Sequence, residues 1–364
     1  MKYILCQPAI KRFEWELEVC ITRLKKLGIK DIVLLFSQWD NSIPDYFREK
    51  YQVEVHVYDD RPRDKNYIPS VKPYLWMKYL EEDRSRETDT YFYLDSDVLL
   101  REIPKVTPTK QMWYASDCKE YIGIDYIDSK GSDLLDQMCE VIGIDSSIIR
   151  ENTPIGGAQW VINNPTHEYW KKVYEDSVKL YKFLSSIEYK YVRKNGLGYT
   201  PIQKWTAEMW AQLWNVYHFG KTVKCVDELD FCWPTNDLNR YYETKIYHNA
   251  GVVDDHQNLF FKGKYVNETP FNDDFSIIDR SKASIEYVKA IKEVAVKKIK
   301  EAGGQAMKYT VIEGFADLQD KNKPYYVGDN YPKPANKKVS AERLEELSTT
   351  KNDAGRPFIK EVEE

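Results

Sequence analysis

Short apolar runs alternate with segments of helical period through roughly the first hundred residues, and that alternation leaves the chain few architectures. Residues 2–9 read as a strand. Phe13, Leu17, Cys20, Ile21, Leu24 and Leu27 then recur at helical spacing, with Gly28 as a C-terminal cap. Residues 31–37 read as a second buried strand, 44–51 as a helix, and 53–58 as a third strand ending at Asp59 and Asp60. A polar loop at 61–66 leads to a helix over 70–82 through Val71, Tyr74, Leu75, Met77 and Leu80. This order predicts an α/β fold, with a Rossmann-like, mostly parallel central sheet and helices on both faces.

The last of these runs, residues 91–100, is apolar and aromatic but is interrupted by Asp95 and Asp97. It reads as one buried strand whose carboxylates fall where the strand runs out. In open α/β sheets the crevice beyond the carboxyl ends of the strands is where ligands bind. Buried carboxylates need a cation, and a hard divalent ion, Mg²⁺ or Mn²⁺, that also holds phosphates is the economical partner. In a chain with 58 acidic residues, a solvated pair in a turn is the bland alternative. Against it, this is the chain's one Asp-x-Asp, and it lies in the most convincing strand. The crossovers hold no Gly-rich phosphate loop, so a metal must bind the phosphates.

Composition narrows the class. A hydrophobic fraction of 42% and a charged fraction of 30% are those of a globular protein, and apolar runs such as 32–36 are too short to cross a bilayer. No membrane span and no signal-like segment are read, so a cytoplasmic location is expected. The six cysteines form no C-x-x-C pair and read as reduced thiols. A net charge of −5 offers no global attraction to polyanions, which argues against nucleic acid as the main ligand. The 28 tyrosines and 10 tryptophans supply flat amphipathic faces suited to sugar rings and interfaces.

Beyond the acidic pair, residues 112–116 read as a strand and the polar stretch to Glu151 as a region not rigid throughout. At 153–163 a Gly156-Gly157 pair enters a strand. Such a pair permits close approach to a ligand or simply a tight turn, and Gln159 can hydrogen-bond hydroxyls. Helices follow at 167–184 and 202–217. On the second, the spacing pairs Trp210 with Trp214 and Trp205 with Glu208, which predicts a carboxylate in a pocket walled by indoles, or else a solvated one. His248 closes a short β-like run before a small-residue turn, a geometry in which it can join the aspartates as a third metal ligand. His56, His167, His218 and His256 are less well placed. From residue 281 a Lys/Glu-rich helix carries Ile285, Val288, Ile291, Val294 and Ile299 on one stripe, ended by Gly303-Gly304. Residues 308–364 read as a small polar module with a strand-turn at 325–329 and a helix capped by Ser340.

The motif Tyr93-Leu94-Asp95-Ser96-Asp97-Val98, taken with Gly156-Gly157-Ala158-Gln159 and His248-x-x-Gly251, resembles the metal-dependent nucleotide-sugar glycosyltransferases of the A-type fold. The order of features is similar to the glycogenin and lipopolysaccharide-galactosyltransferase group, over roughly residues 2–265. The resemblance implies Asp97 as a direct metal ligand, Asp95 touching metal and ribose, Lys72 near the donor, the Gly156 segment along the donor sugar, and His248 as the late metal ligand. Gln7, Ser96, Gly251 and Lys262 complete the expected donor-binding set. The chain departs from the group at Asp254, where a lysine contacts the diphosphate; Lys262 or Lys264 takes that place here. Ala207-Glu208 replaces an acidic-plus-amide pair, which leaves retention and inversion of the anomeric centre both open.

The tail resembles a C-terminal module of bacteriophage proteins through Phe315-x-Asp317-Leu318-x-Asp320, Tyr326-Val327-Gly328-Asp329-x-Tyr331-Pro332, Ser340-x-x-Arg343-Leu344 and Asn352. The expected layout is a transferase domain at 1–280, a boundary helix at 281–307 and this small α+β appendage at 308–364. The expected activity is transfer from a nucleotide-diphosphate sugar, a UDP-sugar first, assisted by Mn²⁺ or Mg²⁺ on Asp95, Asp97 and His248, with Glu208 as general base if the reaction inverts. The acceptor is a glycan, a virion protein or a modified DNA base. The rival from another class is a non-catalytic module that binds sugars or virion proteins.

Overall fold

The computed structural model describes residues 1–254, 257–301, 309–334, 337 and 339–362. Its chain divides into two compact units, Met1–Gly251 and Val252–Glu364.

The first unit is built on a seven-stranded sheet. Its strands are β1 (Lys2–Pro8), β2 (Ile32–Ser37), β3 (Glu54–Tyr58), β4 (Thr90–Leu94), β6 (Met112–Asp117), β7 (Gly156–Asn163) and β8 (Thr222–Cys225), in the order β3-β2-β1-β4-β7-β6-β8. The β1–β2, β2–β3, β1–β4 and β6–β8 pairs are parallel, while β7 runs antiparallel to both neighbours, so the sheet is mixed and mostly parallel. Helices α1 (Lys11–Lys26), α2 (Ser42–Tyr46) and α3 (Val71–Glu82) are the crossovers between the first four strands. Because right-handed crossovers run β1 to β2 to β3 in one direction and β3 to β4 back, α1 and α2 fall on one face and α3 on the other. Their apolar faces bury Leu17, Ile21, Leu24, Tyr74 and Leu75 of the stripes the sequence spacing predicts, and also Trp76, which the spacing does not single out, while Met77 is only partly buried. The Trp76 indole stacks on Trp170 at 4.8 Å in the centre of the core.

Four expectations are corrected. Residues 91–100 are not one strand. After β4 the chain breaks at the acidic pair, and β5 (Val98–Leu100) joins a second sheet, β5-β10-β9, with β9 (Phe231–Cys232) and β10 (Ile246–His248). Two ionised groups side by side have no place inside a dry sheet, so the ladder ends there. The stretch from 119 to 151 is ordered as four short helices: α4 (Lys119–Ile122), α5 (Ile124–Lys130), α6 (Leu134–Ile142) and α7 (Ser146–Glu151). Ile122, Ile127, Leu135, Met138 and Ile149 are its buried side. Helix α8 (His167–Asn195) runs past Leu184, since Tyr191 is a further buried position whose hydroxyl donates to Asp133. The 44–51 helix divides into α2 and a π-type turn, Phe47–Tyr51. Helices α9 (Ala207–His218) and α10 (Leu238–Glu243) complete the unit.

In the second unit, α11 (Ser284–Glu301) buries Val288, Ile291 and Val294 as its stripe predicts; the glycines at 303 and 304 lie outside the described residues, as does His256. Strands β11 (Tyr309–Val311), β12 (Phe315–Asp317), β13 (Lys323–Tyr325), β14 (Asn330–Tyr331) and β15 (Ile359–Glu361) and helix α12 (Ala341–Ser348) enclose a small core of Tyr309, Val311, Tyr325, Tyr331, Leu347 and Ile359. Ser340 caps α12 by accepting from the Arg343 N–H, as its position predicts. Asp317 is buried and accepts from Tyr331 and Arg343, both at 2.7 Å. Among the described residues no helix is long and apolar enough to cross a membrane.

Candidate metal centre

The strand order of the main sheet turns at β1. The chain proceeds outward through β2 and β3 and returns to the other side of β1 as β4, so a crevice opens beyond the carboxyl ends of β1 and β4. Gln7 is the last residue but one of β1, and Asp95 follows β4. His248 arrives from far along the chain because β10 pairs antiparallel with β5, setting His248 opposite Val98. The Asn249 N–H then donates to the Asp97 carbonyl at 3.0 Å and ties the two turns together.

Ligand atoms of Asp95, Asp97 and His248 all lie within 4.8 Å of one another. His248 Nε2 is 3.3 Å from Asp97 Oδ1 and 3.7 Å from Asp95 Oδ2. The other Asp95 oxygen, Oδ1, is 2.8 Å from Lys72 Nζ, which enters from the first turn of α3. Asp95 thus meets Lys72 on one oxygen and His248 on the other. Lys72 also lies 3.9 Å from Glu208 on α9. Burial lowers the Lys72 pKa, but the charges of Asp95 and Glu208 outweigh it and hold the ammonium above its ordinary value. Glu208 is moved the other way for a carboxylate: burial pushes its pKa up, and Lys72 and a hydrogen bond from the Tyr67 hydroxyl only partly reverse this.

Glu208 is 8% exposed and Trp205 is 56% exposed, so the two do not share a wall. Trp205 sits in a 3-10 turn ahead of α9, where the spacing rule of an α-helix does not hold. Trp210 and Trp214 are core residues, the first donating from its indole N–H to the Ile122 carbonyl. The ring beside Glu208 is Tyr67, stacked on Tyr181 at 4.6 Å. The indole-walled pocket is therefore replaced by a tyrosine and a lysine.

The remaining expected residues are distributed as follows. Ser96 is buried and turns its hydroxyl away from the triad to Glu16 Oε2 on α1, at 2.8 Å. Gln7 is buried and donates to the Leu35 carbonyl at 3.1 Å, while its Oε1 has no partner. Gly156 and Gly157 lie inside the sheet, where an added Cβ would stand 2.7 Å from Ala115 Cβ and 2.8 Å from Cys118 Sγ respectively. Their lack of a side chain serves packing. Gly251 has φ +85, a left-handed conformation that favours glycine, with Trp233 as its neighbour. Trp233 stacks on the His248 imidazole at 5.8 Å and 13°. Lys262 belongs to the second unit, on the 3-10 turn Lys262–Tyr265, where Lys264 pairs with Asp273 at 2.7 Å.

Glu16, Ser116, Tyr67 and Trp233 are site neighbours that sequence reasoning missed. A signal existed for Glu16, a carboxylate three residues after Phe13 and four before Cys20, on the buried stripe of α1. No comparable signal marks Ser116 or Tyr67.

The donor chemistry fits a divalent cation. Carboxylate oxygens suit Mg²⁺ and Mn²⁺, and an imidazole nitrogen in the set shifts the preference from Mg²⁺ toward Mn²⁺.

No family model matches the sequence, and no curated protein matches it. Among solved structures, the chain is similar to the galactosyltransferase LgtC in complex with donor and acceptor sugar analogues, with a TM-score of 0.40 and 13% identity over 80% of this chain and 96% of that one. It is also similar to the bifunctional glycosyltransferase WbbM, at 0.40 and 10% over 80% and 49% of the chains. Mouse xyloside xylosyltransferase 1 follows at 0.34 and 11% over 68% and 96%.

Proposed function

We propose that the chain is a glycosyltransferase of the A-type fold that moves a sugar from a nucleotide-diphosphate sugar, a UDP-sugar first, to an acceptor hydroxyl. One observation carries this reading: two carboxylates and an imidazole converge beyond β1 and β4, with a lysine between them and a second buried carboxylate. Asp95, Asp97 and His248 would hold Mn²⁺ or Mg²⁺. A cation bound there supplies electrostatic neutralisation of a departing diphosphate. Lys72 orients Asp95 through Oδ1 and adds positive charge beside the donor. Gln7, with its unpartnered Oε1, adds a polar group on the donor side.

Glu208 has the properties of a general base for an inverting transfer. As the acceptor oxygen bonds to the anomeric carbon and the bond to the diphosphate breaks, the hydroxyl proton passes to the Glu208 carboxylate, whose raised pKa suits it to receive one. Product stereochemistry read by proton NMR tests this role, because retention removes the need for the base.

A screen of nucleotide sugars with and without Mn²⁺ tests the whole reading. Metal-dependent release of the nucleoside diphosphate, lost in Asp97→Ala, is expected. Calorimetry showing no nucleotide-sugar binding in the presence of Mn²⁺ would favour the non-catalytic binding module instead.

A further inference from the structure

The bulge in β7 turns a glutamine inward. Ala115 opposes Trp160 while the next residue, Ser116, opposes Gly157, so Ala158 and Gln159 are extra on their strand, and Ala158 takes φ 52 to accommodate this. Gln159 is thereby fully buried, at 0% exposed, between two partners. One end of its amide is 3.0 Å from His248 Nδ1 and the other 2.7 Å from Ser116 Oγ. Ser116 Oγ also lies 2.7 Å from the Leu229 carbonyl oxygen.

Proton counting orients this chain. With the amide nitrogen toward His248, Ser116 faces two acceptor oxygens at 2.7 Å with one proton, and one contact is left as oxygen against oxygen. The two ends of an amide have the same shape, and exchanging them gives every contact one proton. Ser116 O–H then donates to Leu229 O, the Gln159 amide N–H donates to Ser116 Oγ, and His248 Nδ1–H donates to Gln159 Oε1. The tautomer follows from the hydrogen bond on the far nitrogen: with Nδ1 protonated, the Nε2 lone pair faces Asp95 and Asp97.

We propose that Gln159 and Ser116 are positioning residues, anchored on the Leu229 carbonyl, that keep His248 protonated at Nδ1 and so present Nε2 as a ligand. The proposal rests on the metal reading of the triad, but the tautomer can be measured without any metal.

Long-range ¹H–¹⁵N spectra of the metal-free full chain labelled at histidine, with His248 assigned by the signal missing in His248→Gln, are expected to show a proton on Nδ1. A bare Nδ1 overturns the proposal. Gln159→Leu removes the acceptor and is expected to lose that fixed pattern and to weaken Mn²⁺ binding, read by paramagnetic resonance, by about 10–100-fold. Gln159→Glu keeps an acceptor for Nδ1–H, though not the N–H that meets Ser116 Oγ, and is expected to restore the Nδ1 proton. An unchanged Nδ1 signal and Mn²⁺ affinity in Gln159→Leu also overturns the proposal. Failure of the unmodified chain to bind Mn²⁺ refutes the metal reading instead, and the metal-free spectrum still decides the hydrogen-bond chain.

Discussion

At the scale of single residues, the triad concentrates negative charge that a cation relieves. Mn²⁺ at a hundredfold excess over its dissociation constant is expected to stabilise the chain by about 2.7 kcal/mol, and Asp97→Ala to abolish the shift in a thermal melt. An equal Mn²⁺ response in that variant removes Asp97 from the ligand set. Glu208 gives a pH dependence of definite sign. Its folded pKa lies above the ordinary 4.5, so between that value and the raised one the folded chain holds a proton the unfolded chain has released. Its contribution is therefore fully present below the ordinary value and is lost as pH rises through the raised one. Glu208→Gln should melt higher than the unmodified protein at neutral pH, with the two curves meeting in acid. A gap that instead widens in acid contradicts the sign.

At the scale of elements, the site depends on how tightly β7 lies between its neighbours. The Cβ of Gly156→Ala would meet Ala115 Cβ at 2.7 Å and Val223 Cγ1 at 2.8 Å, neither of which can swing away. Overpacking of about 1–3 kcal/mol is expected in denaturant melts. Gly157→Ala should cost less, because one of its two closest contacts is the flexible Met209 Cε. Equal losses from the two changes would show that the strand as a whole shifts. The glycine pair was legible as something special, but its reason was not. A sequence offers close approach to a ligand and close approach to neighbouring elements as the same two letters, and only the packing of Ala115, Val223, Cys118 and Met209 around the pair separates them. Spacing likewise misassigned Trp205, because a 3-10 turn and an α-helix aim a residue three positions away in different directions.

At the scale of the whole molecule, all three candidate ligands belong to Met1–Gly251, and Val252–Glu364 has a core of its own. Arg343→Ala would leave the buried Asp317 without its cation, at a cost of about 3–5 kcal/mol. Calorimetry should show that loss in the second unit, with the transition that responds to Mn²⁺ left in place; a single transition lowered as a whole would mean that the units unfold as one. Hydrophobic periodicity was enough to read β1 to β4 and their crossovers from the sequence, because apolar burial acts along each element independently of distant partners. It also marked Asp95 and Asp97, since charge inside an apolar run is conspicuous wherever it occurs. Tertiary structure alone decided that β5 leaves the sheet to pair with β10, that His248 therefore meets the aspartates, and that a bulge turns Gln159 and Ser116 toward its far nitrogen. Those contacts join residues far apart in the chain through strand register, and register is set by the partner strand rather than by the residues that use it.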